Sequence, residues 1–264
     1  MSLFKDKTYI ITGAGQGIGF AIARKLAAQG ANVVLNDIDP NIADKAATSI
    51  RDEGGKCLAY AADAGNVDQI RKMVAVTVDH FGFLHGVVAN AGITTFGDFF
   101  EYTPESMQKL LQLNMAGTFF LSQAAALQMR KQGKGGSIVL MSSVVGLQSH
   151  KYLSAYAMTK AAIQMLARNL VIELAPYGIR INAIAPGATI TERTMAMEPE
   201  YDKTWRRLTP LGKPATTDDI ANSALFLLSD QSGQTTGQTL VVDGGWSAVS
   251  PAPGEEHFKD VKES

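Results

Sequence analysis

Short apolar, β-branched runs alternate with helix-length segments along almost the whole chain, and this alternation constrains the fold more than any other feature. KTYIIT, NVVLND, KCLAYAAD, LHGVVAN, GSIVLMSS, IRINAIAP and QTLVVDGG read as strands, mostly apolar throughout, as strands covered on both faces are. Helices are expected at about 17–29, 40–53, 66–81, 104–130, 152–175 and 217–229. Such βα repetition predicts an α/β fold: a doubly wound parallel sheet with right-handed crossovers and helices on both faces. A ligand then binds at the carboxyl ends of the strands, near the point where the strand order reverses. The chain has no internal repeat and no low-complexity linker, so residues 1–249 are expected to form one domain.

Two segments depart from the rhythm. The connection ATITERTMAMEPEYDKTWRRLTPLGKPAT, within 188–216, is far longer than a usual βα loop and leaves the sheet at its ligand end, which predicts a lid over the substrate. The polar tail 250–264 is expected to lie outside the domain, disordered or draped over a neighbouring subunit.

Charge and composition exclude several functions. Lys plus Arg number 24 against 25 Asp plus Glu, which gives no basic surface for nucleic acid. No apolar run approaches the ~20 residues of a membrane helix, so no membrane partner is expected. The opening MSLFKDKTYIIT enters a strand at once, too soon for the apolar core of a signal peptide. A single cysteine, Cys57, rules out an intrachain disulfide and fits a reducing cytoplasm, and its strand context marks it as a core thiol. The four histidines are scattered with no metal-ligand spacing, so no metal site is expected.

TGAGQGIG, residues 12–19, follows the first strand and opens the first helix. Glycines there permit a tight turn and close approach of a pyrophosphate to a helix N-terminus. The spacing is T-G-x-x-x-G-x-G, through Thr12, Gly13, Gly17 and Gly19, with Gln16 and Ile18 between; the G-x-G-x-x-G pattern fails because Ile18 falls on its third glycine. Asp37 ends the second strand, where a carboxylate can accept both hydroxyls of an adenosine ribose and repels a 2′-phosphate. Gln16, Asn36 and Ile38 offer no cation to welcome that phosphate, so NAD is expected in preference to NADP. Asp39 is better placed than Asp37 to cap the following helix.

YAMTK sets Tyr156 and Lys160 four residues apart in a helical context, on one face. Taken alone, such a pair describes an amphipathic helix with a solvated lysine. Used as chemistry, an ammonium ~5 Å from a phenolate at an effective dielectric of ~20 favours the ionised phenol by roughly 3 kcal/mol. That makes a proton shuttle suited to neutral pH.

With the glycine turn, N-A-G at 90–92, Ser143 thirteen residues before Tyr156, Asn182, Pro186-Gly187 and D-G-G at 243–245, the chain resembles the short-chain dehydrogenase/reductase family from about residue 5 to 247. The resemblance implies a seven-stranded, single-domain Rossmann-type sheet, assembled as a dimer or tetramer. It makes Tyr156 the acid/base and Lys160 its activator and a nicotinamide-ribose ligand. Ser143, rather than Ser142, holds the substrate oxygen, and Asn114 positions a relay water. Asp63 meets the adenine with Ala64 supplying backbone, and Asn90 lines the adenosine side. Gly187, Thr189 and Thr191 clasp the carboxamide and pyrophosphate, although relatives often carry an aliphatic residue at the position of Thr189.

The activity so implied is NAD-dependent hydride transfer between nicotinamide and a small-molecule secondary alcohol, polyol or sugar, or the matching ketone. The alternative within the fold is a 3-oxoacyl-thioester reductase using NADPH; a non-catalytic NAD-binding regulator is disfavoured because tyrosine, lysine and serine are all present. Residues 94–100, 144–153 and 188–210 are expected to wall the pocket, with Gln148 and His150 outside the reacting set. Both long helices, 104–130 and 152–175, are apolar around more than one face, which independently predicts a homo-oligomer.

Overall fold

The structure, a computed structural model, describes residues 2–249; the tail 250–264 lies outside the described residues. The chain begins with β1 (Thr8–Ile11), α1 (Gly17–Ala28), β2 (Asn32–Asp37), α2 (Pro40–Asp52), β3 (Lys56–Ala61), α3 (Val67–Phe81) and β4 (Gly86–Ala89). Then come α4 (Pro104–Leu110), α5 (Thr118–Gln132), β5 (Gly136–Met141), α6 (Ser154–Asn169), a short α7 (Val171–Leu174) and β6 (Ile179–Pro186). The long excursion holds β7 (Thr189–Ile190), α8 (Glu192–Met197), α9 (Tyr201–Leu208) and β8 (Ala215–Thr216), and the chain returns through α10 (Thr217–Leu228) to β9 (Thr239–Val242).

Seven parallel strands form one sheet in the order β3-β2-β1-β4-β5-β6-β9. Strand alternation divides the interior into two cores. Tyr9, Ile11, Val33 and Leu35 face α1, α2 and α10. Ile10, Val34, Val87 and Ile138 face α3, α5 and α6. The strand order reverses between β1 and β4, and the crevice at the carboxyl ends of these two strands is the expected ligand position. The two edge strands β3 and β9 are only partly covered, so coverage on both faces holds for the inner strands alone. Cys57 is buried and its thiol is pushed up to about 12 by desolvation, as suits a core residue.

Two expected helices differ in detail. The segment 104–130 is continuous but not uniformly α-helical: Leu111–Gly117 is a π-helical stretch between α4 and α5. At its centre Asn114 is fully buried and exchanges two hydrogen bonds with the backbone of Ile93, accepting from its N–H and donating to its C=O, both at 2.9 Å. The widened turn thus coincides with a tertiary anchor. The segment 152–175 begins at Ser154 and breaks at Leu170, then finishes in α7 and a 3₁₀ turn through Pro176.

Candidate active site

The glycine turn is shaped by its contacts. Gly13 and Gly17 have φ of +59° and +61°, a region that L side chains rarely enter. A Cβ on Gly19 would lie 2.5 Å from the Gly13 carbonyl oxygen and 2.6 Å from Asn90 Nδ2. Gln16, the residue before α1, makes no side-chain cap, so the N–H groups of the first helical turn are left for an anion. The turn is locked to β4. Thr12 Oγ1 accepts from the N–H groups of Asn90 and Ala91, and Asn90 Nδ2 donates to the carbonyls of Thr12 and Gly13. The side chain of Asn90 thus holds the turn, with Gly13, Gln16, Gly17 and Gly19 around it.

Asp37 ends β2 with each carboxylate oxygen anchored once, Oδ2 by Gly15 N–H at 3.1 Å and Oδ1 by Asp39 N–H at 3.2 Å. Asp39 caps α2 by accepting from the N–H groups of Asn41 and Ile42. Any Cβ on Gly15 would meet Asp37 Oδ2 at 2.6 Å, so this glycine admits the carboxylate. Asp63 is exposed, accepts from Gly65 N–H at 2.8 Å, and precedes the buried Ala64, whose carbonyl contacts Gly117 so closely that a side chain there is excluded. These features fit a dinucleotide: an uncapped helix start for the pyrophosphate and a fixed carboxylate for a ribose.

Further along the same edge, Ile18, Asn90, Ser143, Tyr156, Lys160, Gly187, Thr189 and Thr191 converge on one cavity of about 260 Å³. Lys160 is 4% exposed, donates to the Met141 carbonyl at 2.7 Å, and its Nζ stands 5.4 Å from the centre of the Tyr156 ring. The pairing on one helical face is realised, and the lysine is buried, unlike a solvated amphipathic partner. Gly92 leaves room for Asn114: a Cβ there would approach Asn114 Oδ1 at 3.2 Å, and would meet Lys160 Nζ at the ordinary contact distance of 3.6 Å.

The two serines separate cleanly. Ser142 Oγ is buried, donates to the Lys160 carbonyl at 2.7 Å and accepts from Gln164 Nε2 at 3.0 Å. Ser143 Oγ only accepts, from Val145 N–H at 3.3 Å, which leaves its proton for a ligand.

Asn114 lies beneath the cavity rather than on its wall. Its amide is used by Ile93 and, at 3.2 Å, by Thr159 Oγ1, so the side chain ties the helix to the Ile93 loop and to α6. At the end of the π-helical stretch the Thr118 N–H bonds the Met115 carbonyl.

A second cavity, of about 380 Å³, adjoins the first. Ser143 and Tyr156 line both, as do Gly187 and Arg193. Thr94 and Tyr201 are shared as well, and the rest of its wall includes Phe96 and His150 from the two loops named in the sequence, and Glu198 and Trp205 from the 188–216 excursion. His150 is therefore a wall residue, whereas Gln148 does not line this cavity. Trp246 was not foreseen as part of the wall. Its only sequence signal is its place directly after Asp243-Gly244-Gly245. That motif and Pro186-Gly187 are one packing unit, since a Cβ on Gly187 would lie 2.5 Å from Asp243 Cβ. Asn182 serves the scaffold too: it is buried, and its amide donates to the Thr235 carbonyl and accepts from Gln238 N–H. Among the described residues no three metal-ligating side chains cluster, and no helix is long and apolar enough to cross a membrane.

Comparison with known proteins agrees with this geometry. Residues 13–247 match a family model described as enoyl-(acyl carrier protein) reductase. An L-rhamnose 1-dehydrogenase (NAD(P)(+)) of Azotobacter vinelandii is 39% identical over 249 residues, covering 92% of this chain and 97% of that protein. An L-rhamnose-1-dehydrogenase of Scheffersomyces stipitis is also 39% identical, covering 92% and 96%. The crystal structure of a gluconate 5-dehydrogenase from Burkholderia cenocepacia in complex with NADP and tartrate superposes with a TM-score of 0.87 at 32% identity, covering 94% of this chain and 98% of that one. With the glycine turn, the Tyr156–Lys160 pair and the seven-stranded sheet in place, the chain belongs to the short-chain dehydrogenase/reductase family, as an NAD(P)-dependent oxidoreductase acting on CH–OH groups.

Proposed function

We propose that this protein is an aldose dehydrogenase that uses NAD in preference to NADP and oxidises the anomeric hydroxyl of a monosaccharide such as L-rhamnose to the lactone. The observation that carries the reading is the position of Ser143 and Tyr156 on the shared wall of the two cavities, one on the cofactor side and one of small-molecule size. The names of the two rhamnose dehydrogenases support a sugar as substrate, and the anchored Asp37 supports NAD. Bound at the glycine turn and the Gly187–Thr191 segment, a nicotinamide dinucleotide supplies the hydride acceptor.

In this reading Ser143 donates to the substrate oxygen, and Tyr156 acts as the base that takes the hydroxyl proton while the C1–H bond breaks. The sugar loses one hydride and one proton and gains a C=O bond, which closes the balance of an alcohol oxidation. Lys160 Nζ, 5.4 Å from the centre of the Tyr156 ring, supports that role electrostatically, and Asn114 positions the water that carries the proton away. Asp37 takes the adenosine ribose, Asp63 and Ala64 the adenine edge, and Thr189 and Thr191 the nicotinamide end. The 188–216 segment acts as the lid over the substrate.

Absorbance of reduced nicotinamide tests the assignment. L-rhamnose, other aldoses, polyols and acyclic secondary alcohols are each assayed with NAD and NADP, and 3-oxoacyl thioesters with NADH and NADPH. The expected result is NAD-dependent turnover of an aldose. Turnover confined to thioesters with NADPH would overturn it.

A further inference from the structure

The chain contains two tryptophans, Trp205 and Trp246, and both line the substrate-side cavity. They come from distant parts of the sequence, yet their rings meet edge to face with centroids 4.9 Å apart at 88°. Tyr201, one turn before Trp205 on α9, lies 5.8 Å from it at 42°. Along α9 the residues Lys203, Thr204, Arg206 and Arg207 are exposed, while Tyr201 and Trp205, four apart, share the inward face. The helix meets the body of the protein through aromatic rings.

The backbone fixes this cluster. The Asp243 carboxylate accepts from Gly245 N–H at 2.8 Å and Ser247 N–H at 2.7 Å, on either side of Trp246. Gly244 and Gly245, with φ of +64° and +91°, supply the turn that aims the indole. Leu211 N–H donates to the Gly244 carbonyl at 3.1 Å, so the turn is stitched to the chain that leaves α9. Both indoles are thus set before any ligand arrives.

A pyranose ring carries polarised C–H groups on one face and hydroxyls around its rim. Its C–H face is attracted to the negative face of an aromatic ring, and its hydroxyls need polar partners. The cavity offers both, with Arg193, Glu198, His150, Thr94 and Thr194 alongside the aromatic residues. An aliphatic chain would leave those polar groups unpaired. Resting on the reading of the protein as a sugar dehydrogenase, we infer that Trp205 and Trp246 are its specificity-determining wall. The ring of the sugar lies against the indoles while its anomeric carbon faces Tyr156 and Ser143, which selects a cyclic sugar over an acyclic alcohol.

Because the chain has no other tryptophan, intrinsic indole emission reports on this wall alone. L-rhamnose titrated into NAD-bound Tyr156→Phe protein, which cannot turn over, is expected to change the emission saturably. In otherwise wild-type protein, Trp246→Ala is expected to lower kcat/KM for the aldose about tenfold more than for an acyclic secondary alcohol, mainly through KM, with Trp246→Phe recovering most of the loss. Recovery by phenylalanine separates recognition from misfolding. Equal losses on cyclic and acyclic substrates, or emission unmoved at sugar concentrations that saturate turnover, would overturn the inference. A saturable emission change without turnover of any sugar would uphold the wall and reject the proposed reaction. Neither response would reject both.

Discussion

Lys160 shows how one residue is turned from a surface charge into part of a site. Y-x-x-x-K alone describes a solvated pair, and only burial, with Nζ held by the Met141 carbonyl, gives it another character. The pairing was legible because helical spacing is local. The choice of Ser143 came from family spacing, and its physical reason, the use of Ser142 by Lys160 and Gln164, needs the fold. Asp37 carries a direct prediction. Replacing it with Ala removes the ribose acceptor and the repulsion of a 2′-phosphate together, so the NAD-to-NADP ratio of kcat/KM should fall by at least about tenfold, read from steady-state rates with both cofactors. An unchanged ratio would remove Asp37 from cofactor selection.

His85 carries a prediction outside the site. Its Nδ1 accepts the Thr8 N–H at 2.9 Å, and burial first, then Lys7 and Lys134, hold the imidazole below its usual 6.5. The unfolded chain therefore binds more protons than the folded one just below that value, so stability falls as pH drops through about 6.5 and His85 adds no slope well above it. Urea midpoints at about pH 7.5 and 5.5 should separate more in the wild type than in His85→Asn, which keeps an acceptor but cannot titrate. Equal separation in both proteins would show that other groups set the slope.

At the level of elements, the strands and most helices follow from apolar periodicity and from caps such as Asp39 and Asn66. The π-helical stretch 111–117 does not. Nothing local in LLQLNMAG distinguishes it, and the bond at its centre, between Asn114 and a loop about twenty residues earlier in the chain, is a tertiary contact. Asn114→Ala should leave the Ile93 N–H and C=O unpaired and lower stability by about 2–4 kcal/mol in urea unfolding, with a loss of turnover as the helix relaxes. A variant as stable as the wild type would show that the asparagine is not what holds the widened turn. The excursion 188–216 was legible as an insertion by its length alone. Its internal helices and the β7–β8 pair that closes its base were not, since strands of two residues leave no periodicity to read.

For the molecule as a whole, the two-core α/β architecture was legible because each layer repeats the same alternation. The wall contributed by Trp246 was not, because it depends on the last turn of the domain folding back over a cavity some hundred residues away in sequence. The helices α5 and α6 keep apolar residues on their outer faces, including Phe119 at 41% exposure, Leu127 at 51% and Met165 at 50%. We propose that a second copy of the chain covers them, as the doubly apolar helices suggest. Sedimentation at micromolar concentration should give a dimer or tetramer, and a stable monomer would contradict this.

The central claim is that Tyr156 moves the proton beside a dinucleotide seated on the sheet edge. Tyr156→Phe tests it most directly, with kcat measured on the preferred sugar and NAD affinity measured by calorimetry on the same preparation. The account predicts a fall in kcat of about 10²–10⁴-fold with an NAD Kd within about threefold of the wild type. A variant that turns over at the wild-type rate would place the acid/base elsewhere.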